Sequence, residues 1–211
     1  MVASAIMLQD IIILTGAREY RALSQHLAKL NGQVTIQHAD THDDLERLSE
    51  QAGHQARVIA FTTGVIIKRD LLNAFKKSAY NFHPGPPNYP GRYPEAWGVY
   101  RQARWFGATA HKMEALVDAG PIIGVEWFEV PAGVDRYDMA KQCYAAVFRL
   151  FNALAPQLAV AGDDLPVLKD QQWSGHKTTL AEYEELRDNP PDDDEAERKL
   201  RFQSFGPPNE V

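Results

Sequence analysis

Cysteine is almost absent from this chain, with Cys143 the only one among 211 residues. A single thiol cannot form an internal disulfide, which excludes a disulfide-stapled secreted scaffold and makes a reducing, cytoplasmic location the expectation. Cys143 lies within an apolar helical pattern, so we expect a buried structural thiol and not a nucleophile. Neither His83 nor His111 has a second His or Cys at metal-ligand spacing, and no bound metal is expected.

Long apolar runs and an excess of basic residues are lacking as well. No run reaches the roughly 18 apolar residues of a membrane span, and the apolar segment 11–14 is too short for a signal core. Asp and Glu number 28 against 22 Lys and Arg, a formal net charge of −6. This balance argues against a broad nucleic-acid-binding surface, which needs a basic face. The length suits one substantial domain with a small appendage.

The first half of the chain alternates short β-branched runs with patterns of helical spacing. Such alternation predicts an α/β protein with a doubly wound, mainly parallel sheet. In this architecture ligands bind outside the carboxyl ends of the strands. The predicted strands are 11–14, 34–36, 58–61 and 79–82, and the predicted helices are 18–30, 41–52 and 69–75.

The second half begins with a loop rich in Pro and Gly, residues 84–94. The pattern then predicts a helix over 95–104, strands over 108–113 and 122–130, and a long amphipathic helix over 135–161. Residues 189–195 form an acidic segment broken by prolines, typical of a linker. We therefore expect one main domain over 1–165 and a C-terminal extension over 166–211.

Three polar residues stand out as candidate catalytic groups. Asn81 and His83 are two apart on a predicted strand, so their side chains lie on one face, and Asp118 follows in a later loop. An amide can stabilise an oxyanion, an imidazole can move protons near neutral pH, and a carboxylate can support the imidazolium. From the residues alone, a second interpretation stays open: a strand-end turn residue, a surface histidine and a loop aspartate.

The sequence around these residues resembles the 10-formyltetrahydrofolate-dependent formyltransferases, a family that includes sugar N-formyltransferases and the glycinamide ribonucleotide and methionyl-tRNA enzymes. The resemblance rests on Asn-Phe-His-Pro-Gly at 81–85, the Pro and Gly at 90–91, and the segment from Thr109 to Ile123, which contains Val-Asp-Ala-Gly-Pro-Ile-Ile. It spans about residues 61–130. It implies a Rossmann-like formyltransferase fold, with Asn81, His83 and Asp118 as catalytic residues.

The resemblance also implies the binding residues and the cosubstrate, 10-formyltetrahydrofolate. Its pterin would dock between two segments that expose backbone polar groups, which are Thr63, Gly64, Val65, Ile66 and Ile67 on one side and Ala115 and Val117 on the other. Arg18, Arg92 and Tyr93 are the candidate residues for the amine substrate. The first strand–helix turn has the single glycine Gly16, where a dinucleotide fingerprint has three and where the purine-pathway enzymes have a glycine-rich loop.

The implied activity is formyl transfer to a primary amine of a small metabolite, most simply a nucleotide-linked amino sugar. Two alternatives stay open: hydrolysis of formyltetrahydrofolate by the same three residues, and activity like that of the glycinamide ribonucleotide enzyme. No nucleic-acid or membrane partner is expected. The oligomeric state is open, and an exposed sheet edge or the C-terminal segment could mediate a homodimer.

Overall fold

The computed structural model describes residues 8–189, 191 and 194–207, and within them the chain forms a six-stranded sheet flanked by helices. The strands are β1 (Asp10–Leu14), β2 (Thr35–Ala39), β3 (Arg57–Phe61), β4 (Tyr80–His83), β5 (Trp105–Lys112) and β6 (Ile122–Glu129). The helices are α1 (Ala17–Leu30), α2 (His42–Gln51), α3 (Arg69–Ala74), α4 (Pro94–Tyr100), α5 (Arg136–Val160), α6 (Leu180–Asp188) and α7 (Glu195–Phe205).

The strand order is β2-β1-β3-β4-β5-β6. The first four strands pair in parallel, whereas β5 pairs antiparallel with both β4 and β6. Side chains alternate between the two faces along each strand, and apolar side chains on both faces are covered by helices. Ile11 and Ile13 pack with α1 and α5, whereas Ile12 and Leu14 pack with α2 and α3. The predicted α/β class with a doubly wound, mainly parallel sheet is confirmed.

The predicted helix over 95–104 is wrong at its C-terminal end. Helix α4 ends at Tyr100, and Gln102 has a left-handed backbone with φ of 50° that a helix cannot continue through. Strand β5 consequently begins at Trp105, earlier than predicted.

The C-terminal extension carries two helices that the apolar patterns did not indicate. α7 packs against α4 and α5, and α6 packs against α7. The guanidinium of Arg136 on α5 ties them down, donating to the Phe205 carbonyl at 2.7 Å and to the Tyr183 hydroxyl at 2.9 Å. Three residues of the predicted acidic linker, 190, 192 and 193, lie outside the described residues, as do 1–7 and 208–211 of the expected domains.

Helix α5 is the one described helix with the length and composition to cross a membrane. Its buried stripe, which includes Val147 and Phe151, lies in the core against the sheet. The end of α5 is closed by Arg57, a fully buried residue of β3 whose guanidinium donates to the carbonyls of Leu158 at 3.1 Å and Asp163 at 2.6 Å. The bond to Leu158 satisfies one of the backbone acceptors that a helix end leaves unpaired, and the bond to Asp163 holds the segment that follows the helix.

Candidate active site

The site begins with three polar side chains on one face of two neighbouring strands. β4 presents Asn81 and His83, and the antiparallel register places His111 of β5 directly opposite Asn81. Side chains of directly opposed residues are close neighbours on a sheet. His83 and His111 are buried, with 5% and 2% exposure. The strand pairing therefore brings together residues that lie 30 positions apart in sequence.

Asp118 reaches this face from the loop between β5 and β6. Its backbone has φ of 46°, a left-handed conformation that Asp tolerates better than most residues. Its side chain is 4% exposed. Oδ2 lies 3.6 Å from Nδ1 of His83 and accepts the Gly91 backbone N–H at 2.9 Å, and Oδ1 lies 3.4 Å from Nε2 of His111. The structure thus brings the three predicted catalytic residues together.

The hydrogen bonds of His83 define its neutral tautomer. Nε2 lies 3.0 Å from the carbonyl oxygen of Tyr89, which can only accept, so Nε2 carries the hydrogen. Nδ1 is then the unprotonated nitrogen, and it faces the Asp118 carboxylate beyond hydrogen-bond length. Burial lowers the pKa of His83, whereas the charge of Asp118 and the hydrogen bond to the Tyr89 carbonyl act to raise it. His83 is therefore a base whose proton, once accepted at Nδ1, meets a carboxylate.

Asp118 stays ionised through this arrangement. Burial by itself raises its pKa, but the charge of His83 when that ring is protonated, the hydrogen bond and charge of protonated His111, and the Gly91 N–H together bring the pKa well below the ordinary value. A carboxylate held by donors and cations favours its charged form. Asp118 is thus a fixed negative charge beside both imidazoles.

His111 sets the orientation of the Asn81 amide. Its Nδ1 lies 3.0 Å from the Lys112 carbonyl and must donate to it, so in the neutral ring Nε2 is an acceptor. The amide nitrogen of Asn81 lies 3.1 Å from that Nε2 and donates to it. One amide hydrogen of Asn81 is left for another acceptor. His111 was not among the predicted site residues, although its position opposite Asn81 follows from the strand register.

These residues line an open cavity of about 390 Å³. The predicted pterin-docking residues, Thr63 through Ile67 together with Ala115 and Val117, line the same cavity. Arg92 also lines it, and its guanidinium donates to the Gly64 carbonyl at 3.2 Å. A Cβ on Gly64 would lie 2.7 Å from that guanidinium, so the glycine allows the close approach.

Two predicted substrate residues are not among those that line this cavity. Arg18 lies exposed in the first turn of α1. Tyr93 precedes α4 with φ of 52°, and its ring packs against that of Tyr183 of α6 at a tilt of 34°, with centroids 4.3 Å apart.

Part of the cavity wall comes from the C-terminal extension. Residues 177–180 line the cavity, and Thr178 pairs in parallel with Gly91. Just before them, the indole of Trp173 lies against His83 and His111, with ring centroids 5.8 and 5.0 Å away. The capping box of Thr179 and Glu182 at the start of α6 is visible in the sequence and could have located this segment.

No family model matches the chain, whereas solved structures do. A sugar N-formyltransferase from a Shewanella species superimposes with a TM-score of 0.73 at 14% identity, covering 93% of this chain and 87% of that one. The chain has the sugar N-formyltransferase fold. An N-formyltransferase from Helicobacter canadensis, solved with folinic acid and dTDP-3-aminofucose, has the same fold with a TM-score of 0.66 at 13% identity, over 94% of this chain and 81% of that one.

A third structure with the formyltransferase fold is PseJ from Anoxybacillus kamchatkensis. It was solved with UDP-4,6-dideoxy-4-formamido-L-AltNAc and tetrahydrofolate. Its TM-score is 0.66 at 19% identity, and the match covers 93% of this chain and 98% of that one. The fold implied by the sequence resemblance is therefore present along almost the whole described chain.

Proposed function

We propose that this protein transfers a formyl group from 10-formyltetrahydrofolate to a primary amine of a small metabolite, most simply an amino sugar carried on a nucleotide. The observation that carries the proposal is the cluster of Asn81, His83 and Asp118 at one cavity. It combines an oriented amide donor, a neutral imidazole and a fixed carboxylate.

His83 supports the first step because Nδ1 is unprotonated and burial lowers the pKa of the ring. The amine arrives as an ammonium ion and must lose a proton before it can attack. Neutral His83 takes that proton at Nδ1, directly or through a water. The new N–H then points at Asp118, and the 3.6 Å contact between two acceptors becomes a charge-assisted interaction.

Asn81 supports the step in which charge develops on the formyl oxygen. The free amine attacks the formyl carbon, and the carbonyl oxygen becomes an oxyanion. Asn81 has one amide hydrogen engaged by His111 and a second one available for that oxygen. The His83 imidazolium adds positive charge to the same cavity. Donors fixed before the reaction stabilise such an oxyanion strongly.

The proton balance is completed by His83. The ammonium loses two protons on the way to the formamide, and His83 delivers one of them to the departing folate nitrogen. The second proton leaves to solvent, and Asp118 stays ionised throughout. The net products are the formamide, tetrahydrofolate and one proton.

The cavity lining suits a flat heterocycle. Side chains such as Val65, Ile67 and Met113 are apolar, and the polar side chains of Asn81 and Arg92 line the same cavity. Apolar walls with a few convergent polar groups are typical of small-molecule sites. The similar structures that were solved with folinic acid or tetrahydrofolate support 10-formyltetrahydrofolate as the formyl donor.

The amine substrate class is supported by the neighbours that bind nucleotide-linked amino sugars. Arg92 and Lys177 line the cavity and carry positive charge. Such side chains match the diphosphate of a nucleotide sugar, because Arg and Lys both bind phosphate oxygens.

A transfer assay with matched controls tests the proposal. The protein is incubated with 10-formyltetrahydrofolate and a panel of nucleotide-linked amino sugars, and the formamide product is identified by mass spectrometry. We expect formamide and tetrahydrofolate in equal amounts with at least one sugar, and neither product with the Asn81→Ala/His83→Ala double variant. Steady formate release without any amine would instead establish the hydrolase alternative. Tight binding of folinic acid with no turnover of any kind would overturn both.

A further inference from the structure

The segment 173–178, here named the strap, joins the two loops that carry the candidate active site. The Ser174 N–H donates to the Pro87 carbonyl at 3.0 Å, and the Thr178 N–H donates to the Pro90 carbonyl at 3.0 Å. Both acceptors belong to the loop that follows His83. The first residue of the strap is also bonded to the Asp118 loop, because Trp173 Nε1 donates to the Gly120 carbonyl at 2.8 Å.

Trp173 touches both buried histidines as well as tying these loops together. Its ring stands edge-to-face to His83 with an interplanar angle of 69°, and to His111 with an angle of 90°. Such contacts are favourable geometries for aromatic rings. The half-buried indole therefore covers from solvent the two imidazoles that flank Asp118.

We propose that Trp173 is a positioning residue for the reaction proposed above, on which its kinetic consequences rest: its ring keeps water from His83, and its N–H holds the Asp118 loop in register with that imidazole. Neither task requires contact with substrate. The ring performs the first task and the indole N–H performs the second. Substitutions can therefore test the two tasks separately.

The electrostatic surroundings of His83 make the covering role measurable. The titratable groups that face His83 are Asp118, from the loop after β5, and His111, from β5 itself. The loop after β4 contributes the neutral Tyr89 carbonyl, and the strap contributes the uncharged indole. Burial is the largest influence on the pKa of His83 and lowers it, so admitting water must raise that pKa.

Two substitutions test the two tasks, with a third as control. Trp173→Ala removes the ring and the N–H, whereas Trp173→Phe keeps a smaller aromatic ring and removes the N–H. Trp127→Ala removes an exposed indole from β6, away from the cavity lining. The titration of His83 is followed by NMR in each folded protein, and kcat/KM is followed against pH.

We expect His83 to titrate at higher pH in Trp173→Ala, with kcat/KM at neutral pH lower by about 10- to 100-fold. Trp173→Phe should keep the wild-type titration but lose about 3- to 10-fold in kcat/KM, the scale of one hydrogen bond. Trp127→Ala should match the wild type in both. Each of these results supports the proposal.

Unchanged His83 titration and an unchanged pH profile in folded Trp173→Ala would overturn it. If Trp173→Ala does not fold, Trp173→Phe decides, and wild-type kcat/KM in that variant overturns the role of the N–H. The NMR titration needs no formyl transfer. If no amine is ever formylated, the proposed function fails, while the titration still decides whether Trp173 shields His83.

Discussion

The backbone N–H of Gly91 donates to Oδ2 of Asp118 at 2.9 Å, while the residue itself pairs with Thr178 of the strap. Gly91 therefore lies at the junction of the Asp118 carboxylate, the loop after His83 and the C-terminal extension. Its φ of +102° lies in a region that side chains rarely adopt.

Gly91→Ala should destabilise the protein and impair the site together. A Cβ at this position would lie 2.1 Å from the Thr178 carbonyl oxygen, and the backbone strain alone costs about 1–3 kcal/mol. Urea unfolding measures the loss. Gly133→Ala is the control, because Gly133 also has positive φ, +74°, but no atom within 4 Å of the added Cβ. Equal losses of unfolding free energy in the two variants would show that the clash with Thr178 does not add to the destabilisation.

Asn81→Ala and His83→Ala should each lower the rate of formyl transfer by about 10²–10³, the usual range for one oxyanion donor or one proton carrier. Folinic acid should still bind both variants, because its docking segments are intact. Turnover is measured by formamide formation, and binding is measured by calorimetry. Near-full turnover in either variant with a confirmed substrate would contradict the assigned role.

Asp118→Asn should shift the acidic limb of kcat/KM to lower pH. In the wild type this limb reports protonation of His83, which we expect below the 6.5 of an unperturbed imidazole because burial lowers its pKa. Asp118 opposes that lowering, so removing its charge lowers the pKa of His83 further. The rate at neutral pH should also fall, since the imidazolium loses its carboxylate. If neither the acidic limb of kcat/KM nor the rate at neutral pH changes in Asp118→Asn, then Asp118 has no role in the reaction.

The same carboxylate should affect stability in acid. Because the pKa of Asp118 is lowered on folding, its contribution is present above the unfolded value of 3.8 and is lost as pH falls below it. The free energy of unfolding of the wild type should therefore decline more steeply below pH 3.8 than that of Asp118→Asn. Urea unfolding of both proteins at a series of pH values measures the two slopes, and parallel slopes would contradict this linkage.

His111→Leu should reduce the rate by about 3- to 10-fold, since it removes the acceptor that fixes the Asn81 amide. His111→Asn keeps a side-chain acceptor and should recover part of the activity. Steady-state kinetics at saturating donor measures both. Equal rates in the two variants would mean that the hydrogen bond to Asn81 does not matter for catalysis.

Cys143 should be inert in the native protein. Its side chain lies on the buried stripe of α5, and burial raises the pKa of the thiol, so the reactive thiolate is scarce. A colorimetric thiol reagent should react slowly with native protein and rapidly in denaturant. Rapid native reaction would show that α5 opens locally.

The sequence predicted the part of the site that local patterns encode. The run 79–82 indicated a strand, so Asn81 and His83 had to share a face, and Asp118 was identified by its motif. The position of Trp173 beside the two histidines could not be predicted, because no periodicity or motif links it to β4 and β5. The end of α4 was missed for a local reason, as the left-handed backbone at Gln102 is not encoded by apolar spacing. The tail helices were missed because their apolar stripes are weak, although the Thr179 capping box marks one start.

The strap makes the cavity depend on the whole length of the chain. Thr178 and Pro90 are hydrogen-bonded although they lie 88 positions apart, with β5, β6 and the long helix α5 between them in sequence. Contacts of such separation form late in folding, because the entropy of closing a long loop must be overcome first. During synthesis, therefore, Asn81, His83 and Asp118 emerge before the strap, and this wall of the cavity is absent until residues 173–178 have been made. A chain that stops short of the strap would contain both imidazoles but would lack the part of the cavity wall that residues 177–180 form.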